Sequence, residues 1–163
     1  MKLFLIRHTE AIDYETESVR NDEYRYITPK GRKIAQTVFR RLKDDLSNLD
    51  KIFTSPFIRT VQTAEILALS MKYKHDIEIA NDLIISSTAP KAIQLLKRNT
   101  VFNSIALIGH EPMMSAIVEE LSGKKPGGFQ FRKAGVCFID FNVSAGVGKF
   151  MWYFCPKNSE FIK

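Results

Sequence analysis

The chain opens with its clearest apolar block. Leu3, Phe4, Leu5 and Ile6 stand in a row and end abruptly in Arg7-His8, after which the chain turns polar. A short run of bulky and β-branched residues cut off this sharply reads as a buried strand, here over residues 2–7. A second such block, Ser104-Ile105-Ala106-Leu107-Ile108, ends in Gly109-His110-Glu111-Pro112. Lys51-Ile52-Phe53-Thr54 gives a shorter strand that Ser55-Pro56 turns, and Asp76-Ile77-Glu78-Ile79 gives a weaker one. Between these blocks the apolar positions recur at helical spacing. Ile34, Ala35, Val38, Phe39, Leu42 and Leu46 form one stripe, with Arg32, Lys33, Arg40, Arg41 and Lys43 on the opposite, solvated face. Thr28 suits the N-cap of that helix and Pro29 its first position, where a missing N–H costs nothing. Its end is expected before Asn48.

A second helix is expected through Arg59–Leu67 and a third over 89–98, with Ile93, Leu95 and Leu96 turned inward. A fourth starts at Pro112, carries Met113, Met114, Ile117, Val118 and Leu121, and stops at Gly123 and the Lys124-Lys125-Pro126-Gly127-Gly128 loop. Residues 9–27 lack periodicity and carry Asp13, Glu15, Glu17, Asp22 and Glu23. They read as a long loop leaving the first strand, and loops of that length are commonly functional. Beyond Val136 the chain becomes β-rich and aromatic. Val136–Phe141 and Lys149–Phe154, joined through Ser144-Ala145-Gly146-Val147-Gly148, read as a hairpin adding antiparallel strands to one edge of the sheet. Strands alternating with helices predict an α/β fold, a three-layer αβα sandwich around a mostly parallel sheet.

Composition narrows the classes. At 163 residues, 45% hydrophobic and 26% charged, the chain fits a single globular domain over 1–163. No apolar run approaches the roughly 20 residues that span a bilayer. The N-terminal run is interrupted by Arg7 and does not read as a signal peptide, so a cytoplasmic location without a membrane partner is expected. Cys137 and Cys155 lie in apolar or aromatic segments and read as buried thiols in a reducing compartment. Nothing among the cysteines and histidines has metal-ligand spacing. The net charge of +6 favours anionic partners. The basic residues are spread over several helices and not interleaved with aromatics, which argues against nucleic acid. A phosphorylated substrate, or an acidic protein carrying one, fits the charge.

Three strands therefore end in loops carrying Arg7-His8, Ser55 to Arg59, and Gly109-His110. Parallel strands with crossover helices bring such loops to one edge of the sheet, where ligands bind. Arg59 falls in the first turn of its helix, an awkward place for a cation beside the positive end of the dipole, but a good one for gripping an anion together with free N–H groups. Two arginines and two histidines converging on one crevice suit a tetrahedral dianion, because the guanidinium fork matches phosphate oxygens.

The combination resembles the histidine phosphatase superfamily, with its phosphoglycerate-mutase-like fold. Arg7-His8, Ser55-Pro56 with Arg59 and Gln62-Thr63-Ala64, and Gly109-His110 carry the likeness. The short SixA-type branch looks most similar, since Ile27-Thr28-Pro29-Lys30-Gly31 resembles its helix start and the Gly109-His110-Glu111-Pro112 turn has its look. The resemblance covers roughly residues 2–140. It implies a metal-independent phosphohistidine protein phosphatase, without a cofactor, in which His8 attacks phosphorus and forms a phosphohistidine intermediate. Arg7, Arg59 and His110 would hold the non-bridging oxygens, and Arg7 and Arg59 would keep His8 neutral. The partner implied is a phosphohistidine-bearing phosphotransfer domain of a histidine phosphorelay.

Two features depart from the family pattern. Thr9 stands where glycine is usual, and its hydroxyl is a candidate donor to substrate. The carboxylic acid that protonates an ester leaving group has only Asp82, and secondarily Glu10, as candidates. Two other readings stay open on these residues: a small-molecule phosphomonoesterase, which needs that acid, and a phosphate-binding regulatory module without turnover. The shortness of the chain leaves little for a lid, so an open, shallow groove is expected.

Overall fold

A computed structural model of the chain describes residues 1–13, 19–123 and 131–163. Among the described residues seven strands form one sheet in the order β3-β2-β4-β1-β5-β6-β7. β1 (Lys2–Arg7), β2 (Lys51–Thr54), β3 (Ile77–Ile79) and β4 (Ser104–Gly109) are mutually parallel. β5 (Val136–Asn142) runs antiparallel to β1, and β6 (Val147–Cys155) and β7 (Glu160–Ile162) continue the antiparallel edge. β7 is an addition to the sequence reading. It is three residues long and too short for alternation to register.

Strand alternation sorts the core into two halves. Leu3, Leu5, Phe53, Ile105 and Leu107 face α4 (Ala89–Arg98) and α5 (Met113–Ser122). Phe4, Ile6, Ile52, Ala106 and Ile108 face α1 (Pro29–Arg41), α2 (Lys43–Leu46) and α3 (Ile58–Met71). Helices therefore cover both faces, as near-continuous apolar strands require. Among the described residues no helix is long and apolar enough to cross a membrane.

Most expected elements lie where periodicity put them, and the differences have local causes. The first stripe is two helices, because Leu42 leaves helical geometry at φ −98°, ψ 18° while staying fully buried. α3 runs four residues past Leu67, through a stretch whose Leu69 is 79% exposed and so breaks the apolar stripe. Pro112 sits just before α5 as its N-cap residue rather than inside it. Asp76 stays outside β3, and Cys155, unlike the buried Cys137, is only half-buried. Gly123 ends α5 in the left-handed region at φ 63°, as expected of glycine there. The loop expected at Lys124–Gly128 lies outside the described residues, as do Glu15 and Glu17.

The chain just past Arg7-His8 is tied to the start of α1. Thr28 caps α1 by accepting from the Gly31 N–H at 2.9 Å. The backbone N–H of Thr28 in turn donates to the Glu10 carbonyl at 3.0 Å. A β-carbon at position 31 would fall inside the Glu10 carbonyl, so only glycine permits this approach. Gly31→Ala is expected to cost about 1–3 kcal/mol of stability through overpacking, read as a lower urea midpoint at unchanged slope. An unchanged midpoint would mean that residues 9–10 yield without resistance.

Candidate active site

The parallel strands end level with one another. Arg7 pairs with Gly109 across β1 and β4, and Thr54 with Ile108 across β2 and β4. Two further bonds extend the ladder past the strand ends, from the His8 N–H to the Gly109 carbonyl and from the Ser55 N–H to the Ile108 carbonyl, each at 3.0 Å. Backbone pairing alone therefore brings His8, the Ser55 turn and His110 to one edge. β4 lies between β1 and β2 although it comes later in the chain, which creates the crevice where α/β sheets bind ligands.

His8 is buried, and its two ring nitrogens have different tasks. Nδ1 lies 2.7 Å from the Thr9 carbonyl, which can only accept, so Nδ1 carries the proton. Nε2 then carries a lone pair, and it accepts from Arg59 Nε at 3.3 Å. Burial is the main reason that the His8 pKa falls to about 2, with the His110, Arg59 and Arg7 side chains adding to it against the Thr9 bond. Nearby cations, which the sequence suggested as the cause, are thus the smaller influence. The result is a neutral imidazole of fixed tautomer with its lone pair toward a guanidinium.

His110 is organised similarly. Its ring centroid is 5.3 Å from that of His8, and Phe57 meets it edge-on at 4.9 Å. Nδ1 accepts from Arg59 Nη2 at 3.3 Å, which leaves the Nε2 proton for Ser55 Oγ at 3.0 Å. Burial first, then Arg59, lowers its pKa to about 3.

Arg59, second residue of α3, lies between the two rings and is 2% exposed. A buried cation at the positive end of a helix needs a counter-charge, and Asp22 provides it. The Asp22 carboxylate takes Nη2 at 2.7 Å and its carbonyl takes Nη1 at 2.6 Å. Arg25 holds the other carboxylate oxygen at 2.9 Å and anchors itself on the Ile12 carbonyl. Burial works against the Asp22 charge, but the bonds from Arg59 and Arg25 outweigh it and lower its pKa. In the sequence Asp22 is only one of several acids in a long loop. The usable signal was the odd placement of Arg59, which demands an anion, together with a loop able to supply one.

The Gln62-Thr63-Ala64 segment of α3 secures the surroundings. Gln62 Oε1 accepts from the Ile27 N–H at 2.8 Å, Thr63 Oγ1 accepts from the Thr9 N–H at 3.2 Å, and Ala64 is fully buried. Behind Arg7, residues 131–135 act as a brace. The Ala134 N–H reaches the Arg7 and His8 carbonyls, and Arg7 Nη1 donates to the Phe131 carbonyl at 2.6 Å. Arg7 Nε is buried and makes no hydrogen bond to any described residue. It is a donor in need of an acceptor.

The remaining candidates are committed elsewhere. The Thr9 hydroxyl donates to the Gly31 carbonyl at 2.7 Å and the residue is fully buried, so it is turned into the fold and not toward substrate. Where glycine would merely fit, Thr9 adds a tie to α1. Glu10 takes the Thr28 hydroxyl at 2.9 Å and Lys30 at 3.2 Å, which lower its pKa and hold it as a carboxylate. Asp82 pairs with Arg98 at 3.1 Å. The contact that defines Asp82 thus runs toward α4, not toward His8, Arg59 or His110.

Comparison with known proteins gives the family. The sequence profile of the histidine phosphatase superfamily (branch 1) matches residues 3–84. The chain belongs to that superfamily and is a hydrolase of the phosphatase class. It is similar to phosphohistidine phosphatase SixA of Escherichia coli (strain K12), with 25% identity over 100% of this chain and 99% of that one. A SixA homologue of Haemophilus influenzae is 28% identical over 77% of this chain and 79% of its own length. The solved structure of the protein histidine phosphatase SixA complexed with tungstate shares the fold at a TM-score of 0.87. That likeness covers 98% of this chain and 100% of that chain at 24% identity.

The lowered histidine pKa values have a measurable sign. In the unfolded chain each ring takes up a proton below about pH 6.5, whereas the folded site holds both rings neutral until about pH 2–3. Stability is therefore lost as pH falls below about 6.5, by about 1.4 kcal/mol per pH unit for each histidine. Long-range 15N NMR should show His8 protonated at Nδ1 alone and not titrating between pH 5 and 8. A His8 or His110 ring titrating near 6.5 would contradict the buried, neutral assignment.

Proposed function

We propose that the protein is a phosphohistidine protein phosphatase working through a covalent intermediate on His8. The observation that carries this reading is the state of the His8 ring: neutral, with its Nδ1–H donating to the Thr9 carbonyl and its Nε2 lone pair facing Arg59. A neutral imidazole of fixed tautomer is a competent nucleophile. In the first step Nε2 forms a bond to phosphorus while the bond from phosphorus to the substrate imidazole breaks, its electron pair returning to the departing ring. Arg59 Nε and Arg7 Nε supply donors for the non-bridging oxygens. A dianion beside His110 raises the proton affinity of its ring, so that Nδ1 takes up a proton arriving with the substrate or from solvent and donates it as a hydrogen bond to the same oxygens.

Phosphorylated at Nε2 and still protonated at Nδ1, His8 is a cation, which the Thr9 carbonyl stabilises. Water then attacks phosphorus, the bond to Nε2 breaks with its electron pair returning to the ring, and the proton lost by water leaves with phosphate or solvent. None of these steps assigns a task to a metal ion.

The fate of the carboxylates favours phosphohistidine over phosphate esters. An alkoxide leaves only with help from an acid, whereas imidazole, once protonated on its distal nitrogen, departs readily. Glu10 and Asp82, the acids the sequence offered, are held by Lys30 and Arg98. The names of the SixA relatives point to the same substrate class. A phosphohistidine on a protein surface, as in a phosphotransfer domain of a phosphorelay, is the substrate this reading assigns.

Phosphate release from a phosphohistidine-bearing phosphotransfer domain, assayed beside a panel of small phosphate esters, tests the assignment. Fast release from the protein substrate, slow ester hydrolysis, and loss of at least about a thousandfold in His8→Ala are expected. Fast ester hydrolysis with an inert phosphoprotein would overturn the substrate class, and unaltered turnover by His8→Ala would overturn the nucleophile.

A further inference from the structure

The bonds around Arg59 are unequal. Those to Asp22 are short, 2.6 Å at Nη1 and 2.7 Å at Nη2. Those to the two histidines are long, 3.3 Å from Nε to His8 and 3.3 Å from Nη2 to His110. Charge-assisted bonds between guanidinium and carboxylate are the strong class, and bonds to a neutral imidazole at 3.3 Å are weak. An oxyanion arriving over His8 Nε2 competes easily for the weak pair and poorly for the strong pair. The outer edge of the guanidinium is therefore fixed, and its inner edge is available.

We propose that Asp22 is a positioning residue for Arg59. Its carbonyl and carboxylate grip the outer edge of the guanidinium, so that Nε–H and the inner Nη2 hydrogen are aimed at the non-bridging oxygens of the phosphoryl group. This deepens the function proposed above and rests on it. Arg25 completes the device. It holds the second carboxylate oxygen of Asp22, is itself tied to the Ile12 carbonyl, and so fixes the loop against the chain that leaves His8. Phe57, with its ring 5.0 Å from the guanidinium carbon, supports Arg59 from the α3 side.

The grip has a purpose beyond neutralisation. Arginine has a long, flexible stem, and a fork aimed even slightly wrongly loses its advantage in the transition state. A counter-ion bound at one oxygen would neutralise the charge but let the plane rotate. Two acceptors from one residue, one main-chain and one side-chain, set the plane. Asp22 is also placed to do the opposite, acting as an anion that competes with phosphate for Arg59, and the two roles differ in sign.

The test compares Asp22→Ala, Asp22→Asn, Arg59→Gln and the Asp22→Ala/Arg59→Gln double variant. Kinetics use the phosphotransfer substrate, tungstate affinity is measured by calorimetry, and melting temperature and circular dichroism check folding. A positioning role predicts that Asp22→Ala lowers kcat about 10–100-fold while KM changes less than about threefold. Asp22→Asn, whose amide oxygen still accepts from Nη2, should recover most of that loss. On the Arg59→Gln background, Asp22→Ala should change kcat less than about twofold, because the group it positions is gone. Tungstate should bind more weakly to Asp22→Ala.

Tighter tungstate binding to Asp22→Ala would overturn the proposal and mark Asp22 as a competing anion. So would independent, multiplying effects of the two substitutions. If Asp22→Ala fails to fold, the isosteric Asp22→Asn decides: retained kcat supports the grip, and a loss as large as that of Arg59→Gln overturns it. His8→Ala separates the two levels, since activity surviving in that variant would refute the phosphoenzyme reading whatever Asp22 does. Tungstate binding needs no turnover and reads the positioning of Arg59 even then.

Discussion

A guanidinium almost wholly removed from solvent lies between two neutral imidazoles, and much of the site follows from keeping it there. Arg59 enters α3 at its positive end, where burial of a cation is costly twice over, through desolvation and through the dipole. Asp22 offsets that cost from a loop distant in sequence. The same guanidinium, with burial as the stronger influence, keeps His8 and His110 from protonating. Loss of the Asp22 partner would leave a buried charge unpaired, and loss of the burial would return the histidines to ordinary titration.

The backbone gives this arrangement its precision. His8 and Ser55 each donate an N–H to a carbonyl of β4 or its end, so the two loops cannot drift relative to His110. The Thr9 carbonyl, immediately after His8, fixes the tautomer, while the Thr9 hydroxyl and the Glu10 carbonyl are bound to the first turn of α1. Gly31 is the position that permits this approach. The helix start at Thr28-Pro29-Lys30-Gly31 is therefore connected to the site through packing: it holds the chain that leaves His8. Thr63 does the same from α3 by accepting the Thr9 N–H.

Much of this was legible in the sequence because strong local signals agreed. The apolar blocks of β1 and β4 end in Arg7-His8 and Gly109-His110, and the cap at Thr28 and the stop at Gly123 are where a side-chain oxygen and a left-handed glycine place them. What escaped was non-local or too short to show periodicity. Asp22 is indistinguishable in pattern from Asp13 or Glu23, and only the partner it meets gives it a role. Thr9 reads as a donor near substrate until the fold turns its hydroxyl to Gly31. Asp82 stands in roughly the right order for an acid, but its ion pair with Arg98 could not be read from spacing. β7 has three residues, and the extension of α3 to Met71 carries an exposed Leu69 that breaks the stripe.

The central claim is that His8 Nε2 itself receives the phosphoryl group. Rapid quench of the protein with a radiolabelled phosphohistidine substrate, followed by peptide mapping under alkaline conditions, tests it most directly. Label that appears within a single turnover on the peptide containing His8, stable to base and labile to acid, is the expected result. Turnover without any labelled protein, with inversion of configuration at phosphorus, would mean that water attacks the substrate directly and would contradict the account.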